Sequence, residues 1–201
     1  MTTTLDVVNE CLGTMGEVPL NTLTEPHEFK ASALRILSRV DSTVQGKGWW
    51  YNREQLTLVP DPVNFWITLP GDVLKVESGV RSLYDLNYTV AKPYLIARGR
   101  RIYNTITGSY VQTETFTALV ARQVPFDDLP PVMQDYIAAW AVLRFQSLYD
   151  SDSRKRVELA EDVERNRREA VSENVRQSRV NLINTNPRLQ RVKSATRNLR
   201  Y

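Results

Sequence analysis

Two residue types are almost missing: among 201 residues there is one cysteine, Cys11, and one histidine, His27. A single cysteine rules out a disulfide within the chain, and a zinc site needing several Cys and His ligands lacks its donors. Any Ser-His-Asp or Cys-His centre would have to use His27. That residue follows Pro26, where the sequence places it in the first turn of a helix, at the surface. No GxxxxGK[ST] phosphate loop occurs, and no GxGxxG follows a strand; Arg98-Gly99-Arg100 holds a single glycine. Long apolar runs are missing too. The longest, Tyr136 to Leu143, is far short of the roughly 20 residues that span a bilayer. Met1 to Glu10 has neither the basic start nor the apolar stretch of a signal peptide. These absences lead us to expect a soluble chain made in the cytoplasm, with no membrane anchor, cofactor, metal site or catalytic residue.

Paired carboxylates remain, since a glycosidase needs only two. Asp127 and Asp128 are adjacent, but their place before Leu129-Pro130-Pro131 is explained by capping of a helix. Asp61 and Asp72 lie in turns, where aspartate is expected on backbone grounds. Cys11 shares an apolar helical stripe with Leu5, Val8 and Leu12, which reads as a buried structural thiol.

What is present is an ordinary globular interior, 42% hydrophobic and 24% charged, and an uneven charge. Between Asn174 and Tyr201 stand Arg176, Arg179, Arg188, Arg191, Lys193, Arg197 and Arg200, with no acidic residue. Setting these seven against the net charge of +3 leaves residues 1–173 at −4. A mildly acidic body thus carries a strongly basic end, which calls for an acidic partner, nucleic acid or protein.

Periodicity gives an α+β chain in four parts. Residues 1–48 read as a helical hairpin. Its first helix is capped by Thr3 or Thr4, with Asp6 in the first turn and Leu5, Val8, Leu12 and Met15 at helical spacing, and Gly13 and Gly16 end it. A second helix begins near Thr24-Glu25-Pro26, carries Phe29, Ala33, Ile36 or Leu37, Val40 and Val44, and stops at Gly46. Residues 49–125 read as a small antiparallel β insert. Its candidate strands are 55–59, 65–69, 73–77, 94–97, 101–104 and 115–120. Residues 126–180 return to two helices. One has a wide apolar face (Val132, Tyr136, Ile137, Trp140, Leu143, Leu148). The other, about 153–180, is polar with a thin stripe of Val157, Ala160, Val163, Val171 and Val175 and i,i+4 pairs Glu161–Arg165 and Glu164–Arg168. Residues 181–201 read as an extended basic tail. The whole is a helical bundle with an inserted β domain, and no repeat of solenoid length is visible.

Trp49, Trp50, Tyr51 and Trp66 could stack on sugars or bases. They also sit at strand starts and alternating positions, where aromatics fill a core or a subunit interface, and we favour the latter readings. The basic tail reads either as a solubilising end or as a docking segment. Its repeated arginines, suited to bidentate carboxylate or phosphate contacts, favour docking.

Several strings together carry a resemblance. They are residues 4–17 (TLDVVNECLGTMGE) with Pro19-Leu20, residues 46–52 (GKGWWYN), residues 67–74 (ITLPGDVL) and residues 126–138 (FDDLPPVMQDYIA). In this order and at this length the chain resembles the tail tubular protein A family of T7-like short-tailed bacteriophages, along nearly its whole extent. The resemblance implies a structural virion protein of the tail: a dodecameric ring acting as head-to-tail adaptor. It would be bound above to the portal protein and below to the nozzle, tail tubular protein B, with tail fibres around the junction. Genomic DNA would pass through the lumen without sequence-specific binding. A lumen that conducts DNA should avoid tight phosphate contacts, because counterion release would hold the genome in place. The tail is therefore expected to dock on protein. The competing readings are a virion-associated hydrolase acting on envelope or capsule polysaccharide, and a nucleic-acid-binding module using the tail.

Overall fold

A computed structural model describes residues 1–77, 95–150 and 152–178. Helix α1 (Thr4–Thr14) is closed at its start by a capping box in which Thr3 and Asp6 exchange side-chain and backbone hydrogen bonds. Helix α2 (Lys30–Gln45) begins four residues later than Pro26. The delay has a local cause. Thr22 N–H bonds the Glu25 carboxylate, Lys30 Nζ bonds the Leu23 and Glu25 carbonyls, and Phe29 N–H donates to His27 Nδ1. These contacts hold the segment in turns and occupy groups a helix would use.

Five strands follow: β1 (Arg53–Leu58), β2 (Val73–Glu77), β3 (Leu95–Arg98), β4 (Arg101–Asn104) and β5 (Phe116–Arg122). The sheet order is β1-β5-β2, antiparallel throughout, and β3 and β4 form a hairpin across Gly99 at φ 61°. Residues 65–69, expected as a strand, make only isolated bridges, Trp66 to Val111 and Thr68 to Arg101. Asp61 Oδ1 accepts from Val63 and Asn64 N–H, Asn64 Oδ1 accepts from Trp66 N–H, and Phe65 stands at φ 58°. Two consecutive side-chain turns bend the backbone out of the extended form. Leu58, Ile67, Leu69, Leu95, Ile102, Ala118 and Val120 form this half's apolar core.

A short 3-10 turn (Phe126–Asp128) leads into α3 (Pro131–Tyr149). Helix α3 lacks the acidic cap expected from the sequence. Pro130 occupies the cap position without a side-chain bond, and Asp127 caps a different helix, accepting Thr4 N–H of α1 at 2.8 Å and its hydroxyl at 3.1 Å. Met133, Tyr136, Ile137, Ala138, Ala141, Val142 and Phe145 bury most of the circumference of α3, which is the centre of the helical core. Leu148, expected on that face, is 68% exposed near the helix end.

Helix α4 (Ser153–Gln177) is capped by Asp152, whose carboxylate accepts from Arg154 and Lys155 N–H. It returns along α3, and of its 25 residues only Ala170 is buried. The expected Glu161–Arg165 pair is replaced by Asp162–Arg165, while Glu164 holds both Arg167 and Arg168.

The helical and β halves are joined by buried amides. Gln45 Nε2 donates to Val124 C=O and to Asp41, and Gln45 Oε1 accepts Val124 N–H. Asn52 Nδ2 donates to the Gln45 and Arg122 carbonyls, and its Oδ1 accepts Trp49 N–H. The entering and leaving strands of the insert are thereby fixed to the end of α2.

Candidate assembly surfaces

The reactive groups named from sequence are in structural use. Cys11 is buried, and loss of solvent pushes its thiol up to about 12, leaving no thiolate at neutral pH. His27 lies ahead of α2 and not in its first turn, with Nδ1 accepting Phe29 N–H and Nε2 3.8 Å from Glu17. Asp61 closes its own turn, and Asp72 binds Arg122, which also reaches Glu54, so one guanidinium ties β5 to both sheet edges. Hydrogen bonds hold both carboxyls below the usual range, from Asn64 and Val63 N–H at Asp61 and from Arg122 at Asp72. Among the described residues no group of three or more His, Cys, Asp or Glu is placed to hold a metal.

The four aromatics separate. Trp49 is 5% exposed, donates its indole N–H to Val44 C=O at 2.7 Å and packs edge-on to Tyr136, so it belongs to its own subunit's core. Trp50 and Tyr51 are half-buried beside it, with Trp50 N–H bonded to Asn174 near the end of α4. Trp66 sits on the β half with the Arg101 guanidinium 4.1 Å from its ring centre. Of the basic candidates, Arg176 lies in the last turn of α4, 73% exposed and 3.1 Å from Glu173. Arg179, Arg188, Arg191, Lys193, Arg197 and Arg200 lie outside the described residues.

Three surfaces emerge, of which the sequence pointed only to the third, the free face of the polar helix α4. A cleft of about 260 Å³ between α1, α3 and α4 brings together Glu10, Asp135, Asp162 and Arg165. Its Glu10 carboxyl is held above the ordinary value, first by desolvation and then by the charges of Asp6 and Asp135, although much of the residue stays open to solvent. Asp135 accepts the Thr2 hydroxyl at 2.8 Å, and Asp162 is paired with Arg165. A groove between α2 and α3 is walled by Arg39, Trp140, Arg144 and Leu148 and has no acidic lining residue. The third surface is the outer side of α4, where Val157 (58%) and Val175 (53%) are exposed beside Glu161, Glu164 and Arg168. Helical spacing of the exposed valines was the available signal for the third surface. The groove left none, because its walls come from helices far apart in sequence.

None of these surfaces has the closed, water-excluding form of a catalytic pocket. They are shallow, mixed apolar and charged areas, the composition of protein contacts. The family model described as "Tail tubular protein" matches residues 5–185. The chain belongs to the tail tubular protein family. It is therefore a structural component of a bacteriophage tail, one that assembles with other tail proteins into the virion. No curated protein matches the chain in sequence. The family match covers both helical parts and the β half, so a tail tubular protein is here a helical core carrying a sheet, with no helix among the described residues long and apolar enough to cross a membrane.

Proposed function

We propose that this tail tubular protein is the ring-forming head-to-tail adaptor, joining the portal to the tail nozzle and supporting tail fibre attachment while DNA passes through its channel. Residues 1–48 and 126–180 serve in this reading as the helical body, 49–125 as the insert, and 181–201 as a basic docking tail. The carrying observation is α4: a helix about 37 Å long at 1.5 Å per residue with a single buried residue. A lone domain gains little from such a helix, whereas an assembly covers its free side with neighbours. The basic run that begins with Arg176, in the last turn of α4, follows this helix in sequence and supplies the charge for an acidic partner surface.

The test is binding to portal protein, measured for the full chain and for a chain ending at Gln177. The reading expects tight binding by the former and a loss of at least tenfold on truncation. Equal binding by both chains would remove the docking role of the tail, and no binding by either would remove the adaptor.

Polysaccharide hydrolysis has one observation in its favour, the raised Glu10 carboxyl in a cleft shared with Asp135. A glycan screen with Glu10→Gln and Asp135→Asn tests it. Turnover that disappears in both variants, with folding intact, would establish this reading; an inactive wild type would end it.

A further inference from the structure

We infer that the outer stripe of α4 docks into the α2–α3 groove of a second copy of this chain, a head-to-tail contact. The inference rests on the adaptor reading and names the surfaces through which copies meet.

The stripe is set by spacing. Val157, Glu161, Glu164, Arg168, Val171 and Val175 recur at alternating intervals of four and three residues, which aligns them along one side of a helix. The side that packs inside the subunit, with Leu159, Val163, Asn166 and Ala170, lies roughly opposite at 3.6 residues per turn. The outer stripe is thus a second seam, with exposed valines at its ends and charge at its centre. Glu164 is neutralised within the chain by Arg167 and Arg168, which lower its carboxyl to about 2. Glu161 has no ion-pair partner among the described residues.

The groove is its complement. Leu148 is exposed and Trp140 half-buried, and the Arg144 guanidinium and Lys47 ammonium stand 5.9 and 5.6 Å from the Trp140 ring. Arg39 and Arg144 line the groove, Lys47 stands by the Trp140 ring, and among the described residues neither Arg39 nor Arg144 has a carboxylate partner. An apolar floor with unpaired cations fits a helix face of exposed valines that carries an unpaired carboxylate.

The two surfaces also lie where a repeating contact needs them. On α3 the residues facing α4 are Asp135, Ala138, Ala139 and Val142, and those facing the groove are Trp140, Arg144 and Leu148. At 3.6 residues per turn these sets point roughly 180° apart. Different patches on opposite flanks make a heterologous contact, which propagates from copy to copy and closes into a ring when its rotation allows.

The experiment uses the full chain with cysteines placed across the contact, Cys11 being buried and unreactive. The double variant Arg144→Cys/Glu161→Cys, mildly oxidised, should give a ladder of disulfide-linked dimers, trimers and higher species. Each single variant alone should stay uncrosslinked, and an equal mixture of the two singles should stop at dimers. Charge reversal gives an independent readout. Arg144→Glu and Glu161→Arg should each weaken self-association by roughly tenfold or more, and mixing the two should restore it, because every interface in an alternating assembly then pairs opposite charges. Crosslinking by Glu161→Cys alone would mean a symmetric α4–α4 contact and would overturn the proposal. So would the absence of any ladder, or reversals that leave association unchanged. If portal binding persists in those cases the adaptor reading stands and only the surface is wrong; if portal binding is also absent, both fall.

Discussion

Replacing Gln45 by methionine keeps the side-chain volume and removes every hydrogen bond it makes. Gln45 is 0% exposed. Its amide donates to Val124 C=O at 2.8 Å and to Asp41 at 2.7 Å, and accepts Val124 N–H at 2.9 Å. In the variant, two backbone groups at the point where the chain leaves the sheet lose their partners. An unsatisfied group of this kind costs about 1–3 kcal/mol, so a loss of about 2–5 kcal/mol is expected. For a chain of this size, where each kcal/mol shifts Tm by about 2–4 °C, the melting temperature should fall on the order of 10 °C. Thermal unfolding followed by circular dichroism and by tryptophan fluorescence measures it, with the exposed β1 position Gln55→Met as control. A Gln45→Met chain melting within about 2 °C of wild type would refute the claim that this amide joins the helical and β halves.

Asp127→Ala should destabilise the protein by about 1 kcal/mol through the loss of a cap on α1, whereas Asp128→Ala should be near neutral; equal effects in chemical denaturation would contradict the cross-chain cap. Asp41 gives the pH dependence. Burial holds its carboxyl above the ordinary 3.8, against hydrogen bonds from Gln45 and Gln123 that favour the charged form. A raised acid means that the folded state binds the proton more tightly, so this contribution to stability is present at low pH and is lost as pH climbs from 3.8 through the raised value. The stability of Asp41→Asn relative to wild type should therefore increase between about pH 4 and pH 7. A difference flat in pH, measured by melting across that range, would show that Asp41 is not desolvated.

Much of the fold was legible because its signals are local. Thr3 and Asp6 mark the start of α1 within four residues, β2 and β4 are short runs rich in strand formers between turn residues, and Gly99 marks a two-residue hairpin connection. The misreadings arose where side chains act on backbone elsewhere. Asp127 looks like a cap for the helix that follows it, but it serves a helix more than a hundred residues earlier. The α2 start was displaced by bonds among Thr22, Glu25, His27 and Lys30 that no hydrophobic period reveals. Residues 65–69 have strand composition, yet Asp61 and Asn64 fold the backbone before a ladder can form. The surfaces were the least legible. The valines of α4 could be counted in sequence, but their exposure depended on which side faced α3, and the groove at Trp140 exists only once α2 and α3 lie together.

The central claim is that charge and apolar surface are arranged here for gripping other polypeptides within a phage tail. Negative-stain electron microscopy of purified portal, with and without this chain, tests it most directly. The account predicts an added ring of density beneath the portal, with the subunit mass and symmetry of a closed homo-oligomer. Portal particles unchanged by an excess of folded chain would contradict it.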